Sequence, residues 1–137
     1  MGMGYGACFE WVVSEESVKQ VCEEEYRELS EVLDKFEVSF DELASSICYQ
    51  SEIEAEEEEV DEIFFSFDQL VKRFKEKTDL TLHLGYHDSN DNGDRYDELD
   101  GYFFTVNFSE IYELTPVAKK AKEQGIDVSL KTYVNYG

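Results

Sequence analysis

The residues best suited to chemistry in this 137-residue chain lie in the run Asp-Ser-Asn-Asp-Asn-Gly at residues 88–93. The run matches the opening of an EF-hand calcium loop, in which alternate side-chain oxygens converge on the ion and the glycine permits a sharp turn. The second half departs from that pattern, because Leu99 occupies the twelfth position, where a bidentate glutamate normally closes the loop. Calcium is therefore the alternative hypothesis, and its candidate ligands are Asp88, Asn90, Asn92 and Asp94.

The favoured interpretation of the same run is a hairpin turn at Asn92-Gly93. Both central residues of a type I′ turn need a positive φ, which Asn and Gly adopt at little cost. The flanking segments look like strands, whereas an EF-hand loop lies between helices. The two interpretations are compatible, since an acidic hairpin loop could still collect a weakly held cation.

Other catalytic or metal-binding patterns are sparse. His83 and His87 share one face of a strand that runs through both and could form a transition-metal site with Asp88, but histidines at a sheet surface are the more ordinary interpretation. The chain contains no HExxH, GxSxG, P-loop or GxGxxG motif. Carboxylates are so numerous that any pair could be nominated as acid and base. We therefore predict a protein without enzymatic activity and without a cofactor.

The cysteines and the hydropathy pattern favour a cytoplasmic protein. Cys8, Cys22 and Cys48 form no CxxC pair and lie in apolar patterns, so they are predicted to be reduced and buried. No apolar run approaches the ~20 residues that span a bilayer, and the N-terminus lacks the features of a signal peptide. No membrane association is expected.

The hydrophobic spacing predicts the elements that must position these residues. Alternation over Tyr5–Val13 predicts a strand, and Ser14 is a candidate N-cap for a long helix to about residue 36, with or without a kink near Glu23. Ser39 and Glu42 form a capping box for a short helix, and an acidic linker near 51–59 follows it. A single apolar stripe from Val60 to Phe74 predicts a third helix.

The C-terminal half reads as two paired strands, a helix and a strand. Alternation marks strands at 80–84, 102–108 and 126–134, and Pro116 and Gly125 bound a short helix. The order β-α-α-α-β-β-α-β predicts a single α+β domain over residues 1–137, with a largely antiparallel sheet and about four helices.

The net charge of −21 is the most unusual property of the sequence. Residues 1–68 hold 21 acidic and three basic residues, for −18, whereas residues 69–137 carry only −3. A charge of this size repels nucleic acid and anionic membranes and attracts basic surfaces. The candidate partner-binding residues are the two acidic clusters: Glu23, Glu24, Glu25, Glu28, Glu31 and Asp34, and Glu52, Glu54, Glu56, Glu57, Glu58, Glu59, Asp61 and Glu62.

Helix stabilisation explains only part of these clusters. A few acids at a helix N-terminus each contribute ~0.3 to 1 kcal/mol, but eight acids within residues 51–62 also repel one another. Carboxylates four residues apart on a helix lie ~6 Å apart along its axis, comparable to phosphates along a nucleic-acid strand. Such a surface can occupy a phosphate-binding groove.

In size, charge and lack of catalytic motifs, the chain resembles the small acidic proteins by which phages inhibit bacterial defence, including anti-CRISPR and other DNA-mimic proteins. The resemblance covers composition alone and matches no signature residue. It implies a phage-encoded inhibitor in the bacterial cytoplasm whose partner is a basic, nucleic-acid-binding protein, with no direct binding to nucleic acid. Six tyrosines are candidates for additional contact with the partner: Tyr49, Tyr96, Tyr102, Tyr112, Tyr133 and Tyr136.

Overall fold

The computed structural model describes residues 5–87, 99–106 and 114–136, and these contain a four-stranded antiparallel sheet. The strands are β1 (Tyr5–Val13), β2 (Leu82–His87), β3 (Gly101–Val106) and β4 (Val128–Tyr136). Their order in the sheet is β2-β3-β1-β4, so the N-terminal strand lies inside the sheet. β1 pairs with β4 along nine residues, from Tyr5 opposite Tyr136 to Val13 opposite Val128.

Five helices accompany the sheet in the described residues. They are α1 (Glu15–Val21), α2 (Glu23–Lys35), α3 (Phe40–Tyr49), α4 (Glu57–Thr78) and α5 (Leu114–Glu123). The predicted α+β class and antiparallel sheet are confirmed. The helix count is one higher than predicted, because the long first helix is divided in two at Cys22.

The sequence predicts one long helix with or without a kink near Glu23. In the structure the helix is divided at the neighbouring residue, Cys22. Cys22 has φ −127° and ψ 55°, outside the helical region, so α1 ends and α2 begins there. The carbonyl of Val21 accepts a hydrogen bond of 2.7 Å from Lys77 Nζ. A side chain of α4 therefore contacts the break between the two helices.

The predicted capping residues open their helices as expected. Ser14 Oγ accepts from the backbone N–H of Ser17, and Ser39 and Glu42 form the reciprocal capping box of α3. The acidic connection between α3 and α4 is shorter than the predicted linker near 51–59, since α4 already begins at Glu57. At this start the backbone N–H of Glu56 donates to Glu59 Oε1 at 3.0 Å.

The helices pack on one face of the sheet and enclose a single core. β2 and β3 contribute Leu82, Leu84, Phe104 and Val106, which alternate along their strands and are buried. The helical layer contributes the apolar stripes of α2 and α4, as the sequence periodicity predicts. The fully buried members of those stripes are Leu29, Ile63, Leu70 and Phe74.

Side chains of α3 lie against the edge strand β2. Tyr49 Oη donates to the carbonyl of Tyr86 at 3.3 Å, and Cys48 Sγ donates to the carbonyl of Leu84 at 3.8 Å. An edge strand with uncovered backbone groups can pair with other chains, so these contacts protect the sheet. The prediction that Cys48 is buried is wrong: its position at the end of α3 leaves it exposed, whereas Cys22 is buried and free.

Candidate interaction surface on α2 and α4

The helices α2 and α4 pack side by side and antiparallel. At one end of the pair Lys35 Nζ lies 3.9 Å from Glu62 Oε1, and at the other end Arg73 Nε lies 4.0 Å from Glu25 Oε2. The last turn of α2 is therefore next to the first turns of α4. This packing brings the C-terminal part of the first acidic cluster beside the second cluster.

We define the acidic face as the exposed carboxylates at this end of the helix pair. Its members are Glu31, Asp34, Glu57, Glu58, Asp61 and Glu62, all of which are exposed to solvent. The buried stripes of both helices point away from these residues, toward the sheet. Among the described residues, the acidic face has one ion pair to a basic side chain, between Lys35 and Glu62.

The other end of the helix pair is electrically more balanced. Glu23, Glu24 and Glu25 begin α2 next to the basic C-terminal part of α4, where Arg73 contacts Glu25 and Lys77 contacts the Val21 carbonyl. Two runs that look equally acidic in the sequence thus differ in the fold. In the ion pairs that the structure describes, the acidic run at the start of α4 is contacted by one basic residue, Lys35.

Two of the fourteen predicted acids have structural roles. Glu25 is half-buried and paired with Arg73, and Glu59 is half-buried and accepts the Glu56 N–H. The other twelve are exposed, including Glu28 on α2 and Glu52, Glu54 and Glu56 before α4. Ion pairs between exposed groups contribute only about 0 to 1 kcal/mol, so the two contacts across the helix pair leave most of the negative charge unneutralised.

A carboxylate and two phenols hold the helical layer to the sheet. Tyr102 Oη donates to Glu15 Oε1 and Oε2, at 3.0 and 2.9 Å, and Tyr26 Oη donates to Glu15 Oε2. Burial, followed by the hydrogen bond and the charge of Glu15, raises the pKa of Tyr102 to about 12, and the same causes raise the pKa of Tyr26. Both phenols therefore stay protonated as donors at neutral pH.

An aromatic stack lies beside this cluster. The ring of Phe40 stacks on Tyr26 and on Tyr102, with centroid separations of 5.8 and 5.0 Å. Asp41 Oδ1 accepts the backbone N–H of Tyr102 at 3.0 Å. The cluster thus joins α1, α2, α3 and β3, and it fixes the first turn of α2 relative to the sheet. Because all these contacts are within the chain, we infer that the cluster has a structural role.

Comparisons of the chain with protein-family models, with curated proteins and with solved structures find no match. No helix among the described residues is both long enough and apolar enough to cross a membrane.

The predicted calcium ligands Asp88, Asn90, Asn92 and Asp94 lie outside the described residues, as does the Asn92-Gly93 turn. The strands on either side are described, and β2 and β3 pair as predicted, from Leu82 opposite Val106 to His87 opposite Gly101. His83 is exposed on β2 and His87 is half-buried. Within the described ranges no three His, Cys, Asp or Glu side chains are grouped as metal ligands.

Two of the six tyrosines predicted as partner contacts, Tyr102 and Tyr49, have side chains that the structure describes. Tyr102 is held by Glu15, and Tyr49 is exposed but donates to the Tyr86 carbonyl. Tyr96 and Tyr112 lie outside the described residues, and the side chains of Tyr133 and Tyr136 are not described either.

Sequence reasoning missed one exposed aromatic residue, Phe65. It lies within the apolar run of α4, but at 100° per residue it falls on the side opposite Phe74, and it is 64% exposed. A helical-wheel plot of residues 57–78 separates Phe65 from the core stripe. The signal was therefore in the sequence.

Proposed function

We propose that this chain is a non-enzymatic acidic binding protein that inhibits a nucleic-acid-binding protein by occupying its basic groove. The observation that carries the proposal is the acidic face, where antiparallel packing places the last turn of α2 beside the first turns of α4. As the resemblance to phage-encoded DNA-mimic inhibitors implies, the partner class is a bacterial defence protein and the source a phage.

The dimensions of the helix pair fit a groove that holds nucleic acid. The acidic face takes in the first six residues of α4, Glu57 to Glu62, which span ~9 Å of the helix axis and so match a short stretch of a nucleic-acid strand. The axes of helices in contact lie ~8 to 10 Å apart, so the exposed carboxylates at this end of α2 and α4 belong to neighbouring helices of one surface. A duplex carries one charge per ~1.7 Å of its axis, and a protein groove built for it gathers lysine and arginine at similar density.

The repulsion among the clustered carboxylates favours recognition over simple solubility as their role. Carboxylates confined to one end of a helix pair repel one another and destabilise the fold, whereas the same charges spread over the surface would increase solubility at less cost. Against a basic groove the repulsion is relieved, because the groove supplies cations to the acidic face, whose ion-paired base in the described residues is Lys35. The groove also releases its own counterions, which makes binding strongly dependent on salt.

The test uses the immobilised chain and the heparin-binding fraction of a bacterial lysate as the probe. Retained proteins are challenged with duplex DNA and with RNA, and those displaced are purified for titration at several salt concentrations. We expect the affinity to fall steeply with salt and the DNA or RNA to compete for binding.

The informative control is an unrelated domain of similar size and net charge on the same resin. A protein that the control retains equally well is a nonspecific ion-exchange ligand and is set aside. If every protein held by the chain alone is unaffected by competing nucleic acid, the mimic model is wrong.

A further inference from the structure

The outer side of α4 carries an exposed aromatic residue within its charged surface. Phe65 is 64% exposed, and it belongs neither to the core nor to the residues packed against the core in the described chain. Its neighbours three and four positions away on the helix are Asp61, Glu62, Asp68 and Gln69, all exposed. Phe65 is thus an isolated apolar surface ringed by polar groups.

Neither core packing nor helix propensity favours a phenylalanine at this position. The core side of α4 is complete without it, since Ile63, Phe67, Leu70 and Phe74 fill that side. Phe is also a weaker helix former than Ala, Gln or Glu, because the ring loses χ1 freedom against the preceding turn. A surface shaped only for solubility has few exposed large apolar groups. Phe65 is also the most exposed of the large apolar side chains in the described residues, which makes it the best candidate among them for a contact.

We propose that Phe65 is the apolar anchor of the interface, inserted into a pocket on the floor or wall of the partner's basic groove. This inference rests on the proposed function and adds a specific requirement to it. Aromatic residues at the centre of an interface, surrounded by polar groups that exclude water, are typical binding hot spots. Phosphates carry no apolar group, so Phe65 adds an apolar contact that the nucleic-acid backbone does not make.

Charge identifies the partner of this face as basic. Within two turns of Phe65 on α4, the exposed charged groups are four acids, Glu58, Asp61, Glu62 and Asp68, and one base, Lys72. A second copy of the chain would bring two such surfaces together and repel. A basic protein with an apolar pocket is complementary in both charge and hydrophobicity.

The test compares Phe65→Ala with Leu130→Ala against the purified, DNA-displaceable partner obtained from the heparin-binding fraction. Leu130 is a matched control, because it is also partly exposed but lies on β4, at the opposite edge of the sheet from β2. We expect Phe65→Ala to weaken binding about 10- to 100-fold at every salt concentration, with an unchanged salt slope, because no charge is removed. Leu130→Ala should bind within about twofold of the original chain.

Each outcome separates the two claims. If Phe65→Ala binds within about threefold of the original chain while salt and DNA still abolish binding, the anchor is wrong and the proposed function stands. If no protein that DNA or RNA displaces is retained, both are wrong. A dimer of the chain that disappears in Phe65→Ala on sedimentation would also overturn the anchor, since Phe65 would then serve self-association.

Discussion

Lys35 Nζ, in the last turn of α2, lies 3.9 Å from Glu62 Oε1, in the second turn of α4. The pair marks the place where two acidic segments, distant in sequence, become one surface. It also places one cation where the proposed partner would supply its own. Lys35 would thus compete with the proposed partner for the acidic face.

Removal of this cation should strengthen binding. Lys35→Gln increases the local negative charge, so we expect the affinity for the basic partner to rise about two- to fivefold at low salt and the difference to vanish at high salt. The free energy of unfolding should fall by no more than about 1 kcal/mol, because the ion pair is exposed. Titration calorimetry and urea unfolding measure the two quantities.

The matched control is Lys75→Gln. Lys75 also lies in the last turn of a helix and forms an exposed ion pair, 3.7 Å long, with Asp79. The same change in net charge there should leave affinity nearly unaltered. Equal gains in both variants would mean that total charge, and not the acidic face, determines binding.

The phenol cluster predicts a loss of stability at alkaline pH. The pKa of Tyr102 is about 12 in the folded chain against 10.0 for a free phenol. The stability that this shift contributes is complete below pH 10 and is lost as pH rises toward 12, because the unfolded chain gives up the proton first. Unfolding by urea from pH 8 to 11 should show this decline.

Tyr102→Phe isolates the contribution of the hydroxyl. The variant loses both hydrogen bonds from Tyr102 to Glu15, so we expect its free energy of unfolding to fall by about 1 kcal/mol at pH 8. This value is smaller than usual for a charged acceptor, because the two side chains are partly exposed. Its decline above pH 10 should be shallower than that of the original chain. Parallel declines would show that other groups cause the alkaline loss. Binding to the partner should be unaffected.

How far the sequence predicted the fold depends on the range of the contacts. The capping box at Ser39 and the stripe of α4 are local patterns and are confirmed. The β2–β3 pairing was also predicted from neighbouring segments. The place of β1 between β3 and β4 and the Tyr102–Glu15 contact depend on residues 87 or more positions apart, for which composition and periodicity give no signal.

The candidate surface was predicted as a set of residues but not as a shape. The fourteen acids were identified from their density, and twelve of them are exposed. Their division into a neutralised end near Arg73 and an acidic end near Lys35 follows from helix packing, which the sequence leaves open. The error at Cys48 has a similar origin, since an apolar pattern does not distinguish a core position from the end of a helix at a sheet edge.

The hairpin interpretation of residues 88–93 predicts little response to calcium. A site that lacks a closing glutamate should bind calcium weakly. Calcium at about 1 to 2 mM, roughly the concentration at which extracellular calcium-binding modules bind the ion, should therefore leave the melting temperature of the chain unchanged relative to chelator. A stabilising shift that Asp88→Asn abolishes would favour the calcium-binding alternative. Asp100→Asn, an exposed acid after the loop, is the control.

The most direct test of the central claim moves the same number of charges at two places. Glu31→Lys with Asp34→Lys reverses the acidic face near the C-terminal end of α2, where positive charge suits the helix dipole and folding should be preserved. Glu123→Lys with Asp127→Lys makes the same change at exposed positions beside β4. Affinity for the DNA-displaceable partner is measured for both at low salt. The account predicts at least a tenfold loss for the first pair and less than about threefold for the second; equal losses would contradict it.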